Sequence, residues 1–422
     1  MTDFTSNAAS ACRALRACRR PGRSGPTSMQ LRGQQTLGSA CVPLAQHSVR
    51  TVRALDEERM VEVEWEGGGH SLYPFTWLRD NCQCPLCTLD SAQARKLSML
   101  DLDVHTGLDA VEVTNDNKVS VLWPDRHTSA FDADWLKRRC FSAAARRASR
   151  EELFLNQRHY WDSELRVPTA DFQEVLRDDR AALDWLLALR RVGVVHLTGA
   201  ATERGAVARL AERVGYLRLT FYGHTWQVQD KPMANNVAYT SGKLGLHTDY
   251  PAMHFAPGVQ FLHCISAAEE GGESEMVDGF HMAELLRRED PEAFRTLCSV
   301  HVDFTDTGTD YCDFMLQSKK KSIAEGRVVR INYNNATRDS GAGPPRAAGA
   351  TLLPVHPGYV DVMNRRENVG DMLTFDNWRL LHGRRDYRSR ADRARHLEGA
   401  YLDWDEVMSR LRILRSSVRG NA

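Results

Sequence analysis

The tripeptide His247-Thr248-Asp249 is the feature that most constrains the fold of this 422-residue chain. On an extended segment, residues i and i+2 point to the same side, so an imidazole and a carboxylate can reach one metal ion. A second histidine from a distant strand would complete a face of two histidines and one carboxylate, which leaves three coordination positions open. The pattern therefore predicts a fold in which distant strands meet around a metal.

His382 is the candidate for the second histidine. It lies 135 residues after His247 and just beyond the strand-like segment Met372–Phe375. Arg395 follows 13 residues later, and its guanidinium could hold a dicarboxylate through two parallel hydrogen bonds. An open two-His, one-carboxylate face beside a dicarboxylate anchor is what an oxygen-activating Fe(II) enzyme needs.

A second candidate metal site is a cluster of three of the ten cysteines, Cys82, Cys84 and Cys87. Structural zinc sites are closed sets of four ligands, commonly four Cys or three Cys and one His. The fourth ligand must therefore come from elsewhere in the chain, and spacing alone leaves His70, His105 and His127 open. Such a cluster in a long chain without a secretory signal indicates metal binding in a reducing compartment.

Composition excludes several classes of protein. The chain is 42% hydrophobic, which is enough for a packed core, and no stretch of 18 apolar residues predicts a membrane-spanning helix. The 55 basic and 55 acidic side chains cancel, which gives no support to a general nucleic-acid binder. This balance is uneven, since the first 50 residues hold seven Arg, no Lys and one acid, a net charge of +6.

Residues 1–48 predict a disordered leader, because they are rich in Ala, Ser, Arg and Gly and lack any sustained periodicity. The alternative is a mitochondrial transit peptide, which is typically rich in Arg and Ser and poor in acids. Pro21 and Pro26 would interrupt an amphipathic helix there. We expect a cytoplasmic protein, with mitochondria as the alternative.

The remaining chain predicts an α+β protein in two domains. Residues 49–150 indicate a small β-rich, zinc-binding domain, with a strand over Val61–Trp65 that ends at a glycine-rich hairpin. Residues 151–422 indicate helices packed on a mainly antiparallel sheet. There, helices are predicted over 170–190, 204–214 and 281–286, and strands over 192–197, 259–265, 328–332 and 372–375.

Residues 50–415 resemble the Fe(II)- and 2-oxoglutarate-dependent oxygenases, and within them the branch that hydroxylates gamma-butyrobetaine. The motifs that carry the resemblance span residues 221–228, 235–240, 247–251, 330–339, 376–385 and 395–401. The resemblance implies a double-stranded β-helix (jelly-roll) core, Fe(II) bound by His247, Asp249 and His382, and 2-oxoglutarate held by Arg395. It also implies His127 as the fourth ligand of a structural zinc, ascorbate as a helper that keeps the iron reduced, and a homodimer.

The implied reaction converts gamma-butyrobetaine to L-carnitine by hydroxylation at C3, with release of succinate and CO2. A quaternary ammonium has no N–H to donate and is best held by aromatic faces. The resemblance places an aromatic cage at Tyr222, Trp226, Tyr239, Tyr250 and Tyr401. It places the substrate carboxylate near Asn236 and Asn334, and Asn335 is the alternative to Asn334.

Two other functions stay open at this stage. The first is trimethyllysine dioxygenase, which shares the iron, 2-oxoglutarate and zinc plan. The second is a non-catalytic, zinc-stabilised interaction protein built on an inactive oxygenase fold. The interaction protein would be expected to lack an iron ligand or Arg395, and this sequence has all four residues.

Overall fold

The computed structural model describes residues 47–155, 157–232, 234–323, 328–340, 360–363, 369–389 and 394–420. The chain divides into two compact units, Met1–Lys137 and Arg138–Ala422. The sequence predicts this boundary between residues 150 and 151, within what is a single helix, Ala143–Phe154, of the second unit. The predicted leader lies outside the described residues except for His47 and Ser48.

The first unit is built from short antiparallel strands, as its alternating sequence predicts. Its elements are β1 (Val49–Leu55), β2 (Met60–Trp65), β3 (His70–Pro74), α1 (Phe75–Asp80), β4 (Thr88–Leu89), a 3-10 turn (Asp90–Ala92), β5 (Ala94–Arg95), β6 (Ala110–Val113), β7 (Lys118–Leu122), β8 (Thr128–Asp132) and α2 (Ala133–Arg138). They form two three-stranded sheets, β1-β2-β3 and β6-β7-β8, and the pair β4-β5. The predicted hairpin between β2 and β3 is confirmed.

The second unit contains most of the helix and the larger sheets. Its elements are α3 (Ala143–Phe154), β9 (Thr169–Asp171), α4 (Phe172–Arg177), α5 (Asp179–Val192), β10 (Val194–Thr198), α6 (Ala206–Val214), β11 (Thr225–Val228), a 3-10 turn (Val237–Tyr239), β12 (Leu244–His247), β13 (Val259–Ser266), β14 (Glu270–Gly271), β15 (Ser274–Asp278), α7 (Gly279–Glu289), α8 (Pro291–Ser299), β16 (His301–Thr309), β17 (Asp313–Lys321), β18 (Val360–Met363), β19 (Met372–Asp376), β20 (Leu380–Arg384), β21 (Tyr387–Arg388), β22 (His396–Leu402) and α9 (Trp404–Gly420).

Two sheets form the centre of this unit. One has six strands in the order β11-β22-β13-β19-β10-β9, and the other has four in the order β12-β20-β15-β18. All neighbouring strands are antiparallel except β9 and β10. Side chains of the two sheets touch, since the Phe375 ring of β19 lies 4.9 Å from the His382 ring of β20. The predicted antiparallel core is therefore present.

Residues 170–190 do not form the single predicted helix but two, α4 and α5. Asp178 ends the first and caps the second, since its side chain accepts a hydrogen bond from the Ala181 backbone N–H at 2.7 Å. An aspartate in extended conformation satisfies the free N–H groups of a new helix better than it continues an old one. Helix α5 then ends at Gly193, whose φ of 91° suits glycine.

The strand predicted over residues 328–332 is wrong. Ile331 makes only an isolated bridge to Ile323. Its backbone N–H donates to the Trp378 carbonyl, whereas that of Asn332 donates to Ser322. Because the backbone partners of neighbouring residues lie on different segments, this stretch forms no ladder with one strand.

A buried ion pair joins the end of β15 to the turn before β20. The carboxylate of Asp278 accepts from the Arg379 guanidinium at 2.7 and 3.0 Å, and both side chains are fully buried. Arg379 also donates to the carbonyls of Arg191 and His159. Asp278 in addition caps α7 through the N–H groups of the first turn. The pair thus connects four segments of the chain.

Replacing Asp278 by Ala should lower the free energy of unfolding by about 3–5 kcal/mol, because it leaves the Arg379 cation buried without its partner. The matched control is Glu270→Ala, which breaks an ion pair with Arg388 whose side chains are 71% and 87% exposed. The control should cost less than about 1 kcal/mol. Chemical denaturation of both variants checks this, and equal losses would contradict a structural role for the buried pair.

No helix among the described residues is long and apolar enough to cross a membrane.

Candidate active site

Strand pairing brings the predicted metal ligands together. His247, the last residue of β12, lies directly opposite His382 of β20, and the ring centroids are 4.3 Å apart. Asp249 follows β12, and one ligand atom from each of the three residues lies within 4.8 Å of the others. Gly383 is required here, since a Cβ at this position would lie 2.7 Å from the Leu244 carbonyl oxygen.

Hydrogen bonds fix the orientation of the acid and the first histidine. The Asn377 side chain accepts from the Asp249 N–H at 2.7 Å and donates to the Asp249 carbonyl at 3.1 Å. The Tyr401 hydroxyl donates to Asp249 Oδ2 at 2.5 Å. His247 Nδ1 donates to the Gly245 carbonyl at 2.8 Å, which leaves Nε2 facing Asp249 Oδ1 at 3.1 Å. Hydrogen-bond partners of this kind fix the tautomer and the ring orientation of a metal-binding imidazole.

The electrostatics of this face favour the protonation states that bind a cation. Burial disfavours the Asp249 carboxylate, but the charges of His382 and His247 and the hydrogen bonds outweigh it and hold the Asp249 pKa well below its usual range. Burial and the neighbouring His247 lower the pKa of His382 to about 3. Burial also opposes charge on His247, yet the hydrogen bond to Asp249 outweighs it and raises the His247 pKa. Metal ligands must shed their protons, and two of the three already favour that form.

Arg395 lies in a small cavity beside the three predicted metal ligands. His247, Asp249 and His382 line this cavity together with Arg395. The guanidinium is 2% exposed, and its Nε and Nη1 atoms have no hydrogen-bond partner among the described residues. Burial, and the nearby Arg384 cation, lower the Arg395 pKa to about 10. A buried cation with unused donors implies an anionic ligand, because leaving it unpaired is costly.

The five predicted aromatic residues form one continuous wall. The Trp226 ring stacks on Tyr401 at 4.1 Å, Tyr401 contacts Tyr250 at 5.7 Å, and Tyr250 contacts Tyr222 at 6.0 Å. Tyr222 then meets Tyr239 edge to face at 6.1 Å. All five rings line a cavity of about 1050 Å³ that also contains His247 and Asp249. The structure therefore brings every predicted cage residue into one cavity with His247 and Asp249.

Register explains the closest of these contacts. Trp226 of β11 pairs with Gly399 of β22, and a Cβ on Gly399 would lie 2.4 Å from the indole ring. Tyr401 is two residues further along β22, so it projects from the same face. The glycine lets the indole lie flat across the strand and stack on Tyr401.

The predicted asparagines also line the cavity. Asn236 donates to the Tyr222 hydroxyl at 3.1 Å and accepts from the Ala238 N–H at 2.9 Å. Asn334 is half-buried and accepts from the Ala336 N–H at 3.0 Å. Asn335 lines the same cavity but is exposed. Of the two, Asn334 is the more buried.

The cysteine cluster of the first unit gathers around His127. Its Nε2 atom lies 3.2, 3.4 and 3.6 Å from the sulfurs of Cys82, Cys84 and Cys87. The four ligand atoms lie within 4.8 Å of one another, a set to which neither His70 nor His105 belongs. The β7–β8 turn presents His127, whereas the cysteines follow α1. Three thiolates and one imidazole are a donor set that suits zinc.

Both units of this chain are similar to parts of known oxygenases. The profile of the taurine catabolism dioxygenase TauD, TfdA family matches residues 155–357, and that of the gamma-butyrobetaine hydroxylase-like N-terminal domain matches residues 52–137. Gamma-butyrobetaine dioxygenase from Homo sapiens is 53% identical over 381 residues, which cover 88% of this chain and 98% of that protein. The chain belongs to the gamma-butyrobetaine dioxygenase family.

Two further relatives show how similarity falls across related enzymes. Gamma-butyrobetaine dioxygenase from Pseudomonas sp. (strain AK-1) is 35% identical, with 84% of this chain and 94% of that protein covered. The mitochondrial trimethyllysine dioxygenase of Bos taurus is 26% identical, with 81% and 82% covered. Because its second unit matches the TauD, TfdA family profile, this gamma-butyrobetaine dioxygenase family member has the TauD/TfdA-type oxygenase fold.

Sequence reasoning missed two residues that hold the site in this family member. Asn377 clamps the backbone of Asp249, as described above. Arg384 is 3% exposed and donates to the carbonyls of Ala238, Thr240 and Gly242 at 3.2, 2.7 and 2.6 Å. These carbonyls belong to the segment that carries Tyr239 into the cavity. In the sequence, these two residues are distinguished only by lying close to His382 within the motif 376–385.

Replacing Arg384 by Met should release the segment over residues 237–242, because three carbonyls lose a charged donor. We expect its backbone amides to exchange with deuterium at least about tenfold faster, given about 1.5–3 kcal/mol for a hydrogen bond to a charged group. The control is Arg388→Met, since Arg388 is exposed and pairs with Glu270. Unchanged exchange over 237–242 in the Arg384 variant would contradict the clamp.

Proposed function

We propose that this protein hydroxylates C3 of gamma-butyrobetaine to give L-carnitine, the last step of carnitine biosynthesis. Molecular oxygen and 2-oxoglutarate are consumed, and succinate and CO2 are released. The observation that carries the proposal is a continuous wall of five aromatic rings in the cavity that His247 and Asp249 line, and these two residues form a two-His, one-carboxylate face with His382. A quaternary ammonium is the group that aromatic faces hold best.

The residues present fit Fe(II) and 2-oxoglutarate. His247, Asp249 and His382 would hold the metal through three ligand atoms and leave positions open. The unpaired Nε and Nη1 atoms of Arg395 would take the far carboxylate of 2-oxoglutarate. Bound together, these groups supply the oxidising power for hydroxylation. Ascorbate would keep the iron reduced.

The protein's own residues orient the substrate in this proposal. Trp226, Tyr239 and the neighbouring rings hold the trimethylammonium, and Asn236 and Asn334 donate to the carboxylate at the other end. Fixing both ends places the carbon to be hydroxylated against the metal face, which lowers the entropic cost of reaction. The surrounding core is a double-stranded β-helix formed by the six- and four-stranded sheets. Two contacts between the sheets support this assignment. The Phe375 ring contacts the His382 ring, and the Tyr401 hydroxyl donates a hydrogen bond to Asp249, which follows β12.

Trimethyllysine dioxygenase is the alternative function, because its substrate also carries a trimethylammonium. Identity favours gamma-butyrobetaine, at 53% against 26% for the bovine trimethyllysine enzyme. A homodimer in the cytoplasm completes the proposal, and a mitochondrial location remains the alternative if residues 1–48 act as a transit peptide.

Turnover with the two substrates tests the function. Purified protein with Fe(II), 2-oxoglutarate and ascorbate should form succinate in proportion to gamma-butyrobetaine, and more slowly or not at all with trimethyllysine. His247→Ala should abolish this succinate, whereas the exposed control His254→Ala should keep it. Preference for trimethyllysine would promote the alternative, and no succinate above background with either substrate would refute both.

The cysteine cluster is proposed to hold a structural zinc, since four ligands leave no position for a substrate. Cys84→Ser should therefore lose about one zinc per chain, measured by elemental analysis of the purified protein. Cys312→Ser, at an exposed free cysteine, is the matched control and should keep its zinc. Full zinc content in the Cys84 variant would refute the assignment.

A further inference from the structure

The hairpin of β16 and β17 presents one acid to the aromatic cavity. Side chains alternate along a strand, and Phe304, Asp306 and Gly308 share one face of β16. Across the hairpin they pair with Ser318, Leu316 and Phe314, which follow the same alternation. The Phe314 ring lies 5.5 Å from that of Tyr222, so this face is turned towards the cage. Asp306 itself lines the cavity.

The Asp306 carboxylate has no compensating cation among the residues that the structure describes. Burial, and secondly the charge of Asp249, raise the pKa of Asp306 to about 6. The other acids that line the cavity are engaged. Asp249 belongs to the ligand face, and Glu275 pairs with Arg385 at 2.9 Å. The backbone N–H of Thr307 stabilises the carboxylate but brings no positive charge.

Asp310, four residues further along, provides the contrast. It pairs with Lys231 at 3.7 Å, and Lys231 lies over the Tyr239 ring at 3.9 Å. Both acids influence Tyr222 electrostatically, so both are close to the cage. Among the described acids that line the cavity, Asp306 is the one that neither pairs with a basic side chain nor belongs to the ligand face.

A carboxylate beside aromatic faces suits a cationic ligand group, including one that cannot donate hydrogen bonds. Aromatic rings attract such a cation through their faces, and a nearby anion adds a Coulomb attraction that needs proximity but no hydrogen bond. Neutral groups of the same shape would gain from the apolar contact but not from the charge.

We propose that Asp306 supplies the counter-charge for the trimethylammonium of the substrate and selects it over a neutral group of the same shape. The inference rests on the proposed function for the identity of the substrate. Asp306 is thus a specificity-determining residue that acts on the trimethylammonium of the substrate and not on the reacting carbon. It extends recognition beyond the five aromatic rings.

The experiment compares Asp306→Asn, Asp306→Glu and the matched control Asp313→Asn, at an exposed acid of the same hairpin, in the full-length, iron-loaded protein. Three measurements are made: KM and kcat for gamma-butyrobetaine, the inhibition constant of its carbon isostere 5,5-dimethylhexanoate, whose tert-butyl end is neutral, and the dissociation constant of tetramethylammonium. The last does not depend on turnover. The amide of the Asn variant can still accept from the Thr307 N–H, so the fold should be kept, as thermal unfolding will verify.

For Asp306→Asn we expect KM and the tetramethylammonium dissociation constant to rise at least about tenfold, as the loss of a nearby charge implies. The kcat value and the isostere inhibition constant should stay within about twofold. Asp306→Glu should recover most of the affinity, and Asp313→Asn should match the wild type. Equal tetramethylammonium affinity in wild type and Asp306→Asn would overturn the inference, as would parallel weakening of the isostere. Lack of wild-type turnover would instead overturn the proposed function alone.

Discussion

The pairing of β12 with β20 is the interaction on which the rest of the site depends. It places His247 opposite His382, although 135 residues separate them in sequence. Three further residues stabilise the site in this register. Gly383 makes room for the bulge in β12, Asn377 fixes the backbone of Asp249, and Tyr401 reaches from the other sheet to its carboxylate. A one-residue slip would turn each histidine to the opposite face.

Each of the two cavities of the site contains a charged side chain without an oppositely charged partner in the described part of the chain. Arg395 is a buried cation whose donors are only partly used, and Asp306 is a cavity acid without a cation among the described residues. Each is costly to leave unpaired in a protein interior. A ligand of opposite charge removes this cost when it binds, and the removal adds to its binding free energy. A dicarboxylate beside the metal and a cationic substrate group in the aromatic cage would satisfy both.

The parts of the site that depend on side-chain chemistry could be predicted from the sequence. His247, Asp249, His382 and Arg395 follow from spacing and residue type, and strand positions such as Val259–Ser266 follow from apolar runs. The cage required the family resemblance, because five scattered aromatic residues have no local pattern. Their contacts in the structure give the resemblance a physical basis.

Other features were not predictable because long-range packing decides them. Asp178 divides a continuous amphipathic pattern into two helices by capping the second. Residues 328–332 are apolar enough for a strand, but their backbone groups bond to separate segments. Arg384 and Asp306 act through carbonyls and a cavity whose positions exist only after the sheets have formed. No spacing rule identifies such residues.

Anaerobic binding of 2-oxoglutarate tests the central claim most directly, namely that the three-ligand face and Arg395 form one site. Wild-type protein should bind 2-oxoglutarate tightly only with Fe(II) present, and the chelate should give a visible charge-transfer band. Arg395→Met should keep its iron but need at least about tenfold more 2-oxoglutarate, given about 1.5–3 kcal/mol for hydrogen bonds to a charged group. Binding that depends on neither Fe(II) nor Arg395 would contradict the account.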